Sequence, residues 1–510
     1  MRLRTSLLAG AAALALAAPA MAGPDDNSLI WSTDREISVP FVWWDTVSEM
    51  GAMMYHIYDT LVYRDPETME YKPLLATSWE WLDDTTLEFR LREDVTYHDG
   101  SAFNADDVVK SYTELLKPET GVVNASLVNW MESVEKIDDT TIRIHMAEPF
   151  PPALEFLSGT RMAIPAAEVW DNLPAKPDGS PDFARMPSIG TGPYMLDSFS
   201  PGETLTLKKN PNYFDGPKGD PAIETITFRT IPDQETRVAE LMVGGIDWIT
   251  DLPVDMVDQL SAMPGVATTA GPDMRIAYLV LDRTGRNGDT PVANLKVRQA
   301  IAHAIDRKAI AEQIVGPASQ VVNAACYPTQ VGCTDDVPTY DYDPEKAKAL
   351  LAEAGYPDGI TIEMGAYRER PHAEAVMGYL QQAGITTRLT YLQWSGLRER
   401  LNNGDIDMAI RTWASSGLND VSAIASVLLK MAPDDLCQSP EIKALLEKGD
   451  STIDPEARAA VYKEALTKVA EEVCWVPLFS YSKVYAHNEA LDFFPTADGF
   501  PLFFLAKWAE

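Results

Sequence analysis

GTGPYMLDSFSPGETLTLKKNPNYFDGPKGDPAIETITFRTIPDQETRVAELMVGGIDWI, residues 190–249, decides the fold. Gly190, Thr191, Gly192, Pro193 and Tyr194 make a rigid turn that feeds a strand read over Leu205 to Lys208. Asn210-Pro211-Asn212-Tyr213-Phe214-Asp215-Gly216 is a turn cluster: Pro fixes φ, and Asn and Asp side chains bond their own backbone. Ile226, Phe228 and Ile231 then alternate as a half-buried strand does, and Val238, Leu241 and Met242 recur at helical spacing before Gly244-Gly245-Ile246-Asp247-Trp248-Ile249. The order is turn, strand, turn, strand, helix, with each turn built from residues that fix its geometry.

Outward from this stretch the chain keeps switching period. Leu29 to Thr33 is a short apolar strand, and Tyr55 to Val62 reads as a helix before the Asp65-Pro66-Glu67-Thr68 turn. Two strand–turn–strand units follow, Thr77–Leu91 and Val134–Met146, each folded at an Asp-Asp-Thr-Thr turn. Between them Asn104 reads as an N-cap, with Asp106 and Asp107 in the first turn and Val108, Val109, Tyr112 and Leu115 behind. Residues 171–190, rich in Pro, Gly and Asp, read as a surface loop. The second half begins with the amphipathic segment Val297 to Arg307, with Asp306-Arg307 on its outer face. Asp343-Pro344 then caps a helix that Gly355 stops. Thr361–Met364, Ala373–Ala383 and Thr387–Leu392 give the βαβ pattern of an α/β lobe.

A chain of 510 residues exceeds one ordinary core, and 46% hydrophobic against 23% charged residues is a globular balance. Residues 1–22 differ: Arg2 and Arg4 precede the apolar run Leu7 to Ala18, and Ala20-Met21-Ala22 offers a cleavage site, which reads as a secretory signal peptide. The run is too short to span a bilayer, and no Cys stands near the cleavage site to carry a lipid. The expected location of the exported chain is therefore a Gram-negative periplasm. A formal charge of −34 repels phosphate backbones and anionic lipid, which argues against nucleic acid as a partner.

Cys326, Cys333, Cys437 and Cys474 suit an oxidising compartment and allow three pairings. The favoured set joins Cys326 to Cys333 around a turn-forming loop, and Cys437 to Cys474 at the start of the CWVPLF strand. Without a C-x-x-C, and with no His near these cysteines, zinc is not expected. The six histidines are widely spaced, and G-x-S-x-G, H-E-x-x-H, the Walker lysine loop and G-x-G-x-x-G are all missing. The expectation is a non-enzyme that needs no metal or cofactor.

TYHDGSAFNADDVVKSY (96–112), VRQAIAHAIDRKAI (297–310), YDPEKAKALLAEAGYPDG (342–359), GDIDMAIRTW (404–413) and CWVPLFSY (474–481), together with residues 190–250, resemble the peptide/nickel/opine group of extracytoplasmic solute-binding proteins, family 5, the binding components of ATP-binding cassette importers. The resemblance runs through nearly the whole mature chain. It implies an α/β, type II periplasmic-binding-protein-like fold with two main lobes and an extra α/β lobe, the cluster C architecture. Lobe I is expected at 23–58, 191–275 and 484–510, the extra lobe II at 59–190, and lobe III at 276–483. Lobes I and III would close on the solute about strands near 275 and 483. The implied partners are a small peptide or peptide-like solute and an inner-membrane permease, with the binding protein itself a monomer.

Candidate ligand-binding residues are those that depart from scaffold logic. Trp43 and Trp44 cannot both face one core, so either one presents its face to the cleft or the pair staples two lobes. Trp413 opens the loop Ala414 to Asp420; dipeptide and oligopeptide binders carry there an Asp for the peptide amine, and Ser416 falls nearest that position, followed by Asn419 and Asp420. Arg368, Arg370 and Arg411 offer forks for a ligand carboxylate. Arg161 stands where a related nickel-complex binder uses an Arg, and Tyr391 and Trp394 are candidate aromatic walls, with core packing the competing role. Without an unambiguous amine partner, the ligand classes left open are a short peptide, a non-peptide solute such as an opine or sugar conjugate, and a metal chelate. A ligand-presenting sensor is compatible with each.

Overall fold

The computed structural model describes residues 23–44, 47–122, 128–253, 256–286, 288 and 290–509. The signal peptide read over 1–22 lies outside the described residues. A ten-stranded mixed sheet runs through the molecule in the order Ile385–Tyr391, Ile360–Ala366, Met408–Trp413, Val266–Leu281, Trp475–Asn488, Trp248–Ile249, Ser28–Thr33, Thr225–Thr230, Thr204–Lys209, Tyr194–Ser200. Its fourth and fifth strands, of 16 and 14 residues, are far longer than their neighbours and pair antiparallel from Val266↔Asn488 to Val280↔Trp475. They cross from one half of the molecule to the other, and their register shifts between Asp273 and Ile276. Such a bulge bends a strand and re-aims its side chains at the crossing point.

The turn residues of 190–216 fold as they do because several motifs meet at one buried pair. Gly190 and Gly192 press on the helix end ahead of Asp59; a Cβ there would lie 2.0 Å from the Ile57 carbonyl oxygen and 2.4 Å from that of His56. Asp59 accepts from Lys218 Nζ at 2.7 Å, Thr191 Oγ1 at 3.0 Å and the Tyr213 hydroxyl at 3.3 Å. Both charges are buried, and Lys218 also donates to the Tyr55 and Tyr58 carbonyls, so the pair is compensated by hydrogen bonds. His98 braces the same turn: the Gly190 N–H donates to its Nδ1, which leaves Nε2–H to donate to the Gly192 carbonyl. The helix read over Tyr55–Val62 lies earlier, at Ser48–Ile57, and the chain is a strand by Val62–Arg64. The chain leaves the helix at Tyr58, whose backbone is extended, and carries Asp59 to its buried partners Lys218, Thr191 and Tyr213.

The extra lobe is a four-stranded sheet, in the order Ala76–Asp83, Thr86–Leu91, Thr141–Met146, Met131–Asp138, covered by the helix Ala105–Leu116. Asn104 caps that helix through the Asp106 N–H, and Asp107 returns a bond to the Asn104 N–H. Its apolar residues do not form a separate core. One cluster runs from Phe89, Tyr112 and Ile142 to Trp31, Phe228 and Trp248, so the extra lobe and the first lobe pack as one body.

In the second half the sheet is buried on both faces. Ile276, Tyr278 and Val280 enter one apolar cluster with Leu397 and Tyr462, while Ala277, Leu279 and Leu281 enter another with Ile301 and Ile362. The βαβ unit pairs Ile360–Ala366 in parallel with Ile385–Tyr391 through the helix Arg370–Gln382. Arg307 does not lie on an outer helix face: its Nη1 donates to the Val322 and Pro477 carbonyls at 3.0 and 3.1 Å, tying the helix to the sheet. Cys326 is bonded to Cys333 and Cys437 to Cys474, both in this half. No described helix is long and apolar enough to cross a membrane.

Candidate functional site

A cavity of about 460 Å³ opens where the two halves meet at the long strands. The first half supplies the helix face Ser48, Gly51 and Tyr55, then Arg64, and then the segment Glu155–Met162. The second half supplies Ala414, Gly417 and Leu418, and the crossing strands supply Asp273, Met274, Arg275 and Lys483. Asp498 and Phe500, from the C-terminal segment, complete the wall. Phe500 seats against Gly51, where a Cβ would come within 2.8 Å of the ring, and edge-on to Tyr55.

Arg64 organises the charges at one side. Its guanidinium pairs with Glu155 and, at 2.6 Å, with Asp498. Glu155 also accepts from the Tyr71 hydroxyl at 2.9 Å and, across the cleft, from the main-chain N–H of Asn419 at 2.7 Å. Arg64 in turn reaches the Gly417 carbonyl at 3.3 Å. Burial raises the Glu155 pKa, and Arg64 and the Asn419 N–H act against that rise. These contacts draw the loop of the second half onto the first.

Few of the residues singled out from the sequence reach this cavity. Arg161 does line it, with Nη1 donating to the Val42 carbonyl at 2.9 Å. Trp43 is completely buried: it stacks on Trp170 and donates to the Arg161 carbonyl. Trp44 stacks on Phe183 and donates to the Thr120 carbonyl, so both indoles staple the first half and neither presents a face to the cleft. Arg411 is buried against the Asp434 carboxylate and over the Trp394 ring, away from the cavity. Arg368 and Arg370 pair on the surface with Glu369 and Glu374. Trp413 ties its own loop by donating to the Ala423 carbonyl.

Asp420 faces inward, not into the cleft. Both its oxygens take the Arg458 guanidinium, at 2.7 and 2.8 Å, and Oδ1 also caps the turn at the Ser422 N–H. A carboxylate already neutralised in this way offers nothing to a ligand amine. Asn419 contributes its main chain to Glu155 while its side-chain oxygen accepts from Thr329. Ser416 lies in the short turn Ser415–Gly417, and its side chain is outside the described set.

The residues that do build the site, Arg64, Glu155, Asp273, Arg275, Lys483 and Asp498, carry no local motif. Arg64 and Asp498 are 434 positions apart and meet only through the fold. One signal was available: 275 and 483 lie on the long strands that cross between the halves, and a charged residue midway along such a strand has a reason to face the cleft.

The family description "Bacterial extracellular solute-binding proteins, family 5 Middle" matches residues 70–431. The chain is 28% identical to heme-binding protein A of Haemophilus influenzae, over 94% of each chain. It is 26% identical to the glutathione-binding protein GsiB of Salmonella typhi, again over 94% of each. Its fold superposes on the ABC transporter-associated periplasmic binding protein DppA of Helicobacter pylori, solved with the peptide STSA, with a TM-score of 0.70 and 26% identity over 95% of this chain and 98% of that one. With more than half of its length matched, and with a cavity where its two halves meet, the chain belongs to family 5 of the bacterial extracellular solute-binding proteins.

Proposed function

We propose that this protein is the periplasmic binding component of an ABC importer, which closes on a short peptide or peptide-like solute between its two halves and delivers it, as a monomer, to an inner-membrane permease. The observation that carries the reading is the cavity itself. Its volume of about 460 Å³ falls within the range of small-molecule sites, about 300–1,000 Å³. Its wall combines apolar groups (Met162, Met274, Leu418 and Phe500) with carboxylates and guanidinium groups, as a zwitterion with apolar side chains needs. The similar proteins named for glutathione and crystallised with a peptide support the same class.

Two of the three carboxylates that line the cavity, Glu155 and Asp498, are tied to one arginine rather than set about a reacting atom. Native mass spectrometry of the protein purified from periplasm, before and after mild denaturation, tests the proposal. Released masses spaced by amino-acid residues support it; one non-peptide mass redirects it to an opine, a sugar conjugate or a metal chelate.

A further inference from the structure

The protein carries a formal charge of −34, yet its ligand cavity is lined by four cations, Arg64, Arg161, Arg275 and Lys483, against the carboxylates of Glu155, Asp273 and Asp498. Two of those carboxylates are bound to Arg64. The third, Asp273, turns an oxygen to the Arg275 main-chain N–H at 3.0 Å. Among the described residues Lys483 has neither an ion-pair partner nor a side-chain hydrogen bond, although its Nζ lies close over Gly499. Among the described residues the one side-chain hydrogen bond of Arg275 is to a hydroxyl, Thr412 Oγ1 at 3.2 Å. Cations held in a partly dehydrated cleft without anions are costly unless a ligand supplies them.

The strand register adds a spacing. Lys483 stands opposite Gly271, four residues before Arg275, which is about 13 Å of extended strand. The two cations therefore address separate places along the cavity, with Asp273 between them.

We infer that Lys483 and Arg275 each receive an anionic group of the solute, which makes the preferred ligand a dicarboxylate whose two charges are well separated. This rests on the proposed solute-binding role and narrows it: a peptide with one acidic side chain and a free C-terminus qualifies, and its neutral counterpart does not.

The test uses the full mature chain and two acid–amide pairs of tripeptides, Ala-Glu-Ala with Ala-Gln-Ala and Gly-Asp-Gly with Gly-Asn-Gly, titrated by calorimetry. Citrate, a peptide-free polyanion, is read in parallel by thermal shift at matched ionic strength. Each acid should bind about tenfold tighter than its amide, the effect of one charge-assisted hydrogen bond. Of Lys483→Met and Arg275→Gln, the one that faces the side-chain carboxylate should reduce that ratio to about one, and the other should weaken acid and amide alike by about tenfold; Lys483→Arg should keep most of the wild-type binding. Citrate should raise the melting temperature of the wild type and of Lys483→Arg, and not that of Lys483→Met. Equal binding of acid and amide by the wild type, or wild-type affinity for the acid peptides in either Lys483→Met or Arg275→Gln, overturns the inference. If no tripeptide binds while citrate still stabilises through Lys483, the peptide reading fails and the anion subsite stands. If citrate has no effect either, the subsite fails as well.

Discussion

The main-chain N–H of Asn419 donates to Glu155 Oε1 across the cleft, at 2.7 Å, from a loop of the second half to a helix of the first. Glu155 is held for that bond by Arg64 and Tyr71, so the two halves are joined by a fixed acceptor on one side and a backbone donor on the other. The two halves are therefore held together partly by protein–protein contacts.

Glu155→Gln keeps an acceptor for Asn419 and removes the charge that Arg64 faces. Retention of the co-purifying solute should fall about 10- to 100-fold, the range of a charged hydrogen bond, and the radius of gyration from X-ray scattering should rise as the halves part. Unchanged occupancy and an unchanged scattering profile would show that the bridge has no part in closure.

Asp420→Asn separates structure from recognition. It leaves Arg458 buried without its bidentate partner, and the expected cost is about 3–5 kcal/mol in chemical denaturation. The solute that co-purifies should be the same as for the wild type. A stable variant that has lost its solute would return Asp420 to the binding site.

The disulfide Cys326–Cys333 closes the loop that braces the cleft segment. Within that loop Val331 donates to the Asn419 carbonyl, and Gln330 Nε2 to the Leu418 carbonyl, each at 3.0 Å. Replacing both cysteines by Ser should cost about 2.5 kcal/mol on loop-closure entropy and should speed amide exchange at 418–421 more than in the first half. Uniform exchange through both halves would deny the brace.

His56 sets a slope of stability with pH. Its Nδ1–H donates to the Ala52 carbonyl, and burial among the Tyr194, Phe503 and Phe504 rings pushes its pKa down to about 3. The unfolded chain takes up this proton near the ordinary value of about 6.5, before the folded one does. Stability is then complete above that pH and falls as pH drops from 6.5 toward 3, by up to about 1.4 kcal/mol per unit. Asp247, whose pKa burial raises to about 6, acts in the opposite sense, so the test is a difference. His56→Gln should lower stability at pH 7 and flatten its decline from pH 6.5 to pH 4 relative to the wild type.

Most of the scaffold was legible because it rests on local chemistry. The Asn104 cap, the Asp-Asp-Thr-Thr hairpins and the Pro344 helix start each declare themselves within a few residues. The site was not legible in the same way. Trp43 and Asp420 look like ligand groups because an indole and a carboxylate beside a cleft loop are rare and costly, but packing on Trp170 and pairing with Arg458 absorb them. Both partners lie far away in sequence, so nothing local revealed that these groups were already satisfied. Arg64 and Asp498 were hidden for the converse reason: Arg64 ends a short strand beside the Asp65-Pro66 turn and Asp498 sits in a turn, where a surface charge is ordinary.

The packing of Trp31 on Phe503, with ring centroids 5.6 Å apart, joins the first strand of the described chain to its last few residues. The Trp475–Asn488 strand and the C-terminal segment return to a body otherwise complete by residue 275. The consequence concerns timing. A chain made from its N-terminus delivers Trp31 and His56 more than 400 residues before Phe503 and Phe504, which close over them. The half that is made first is thus the half that is finished last.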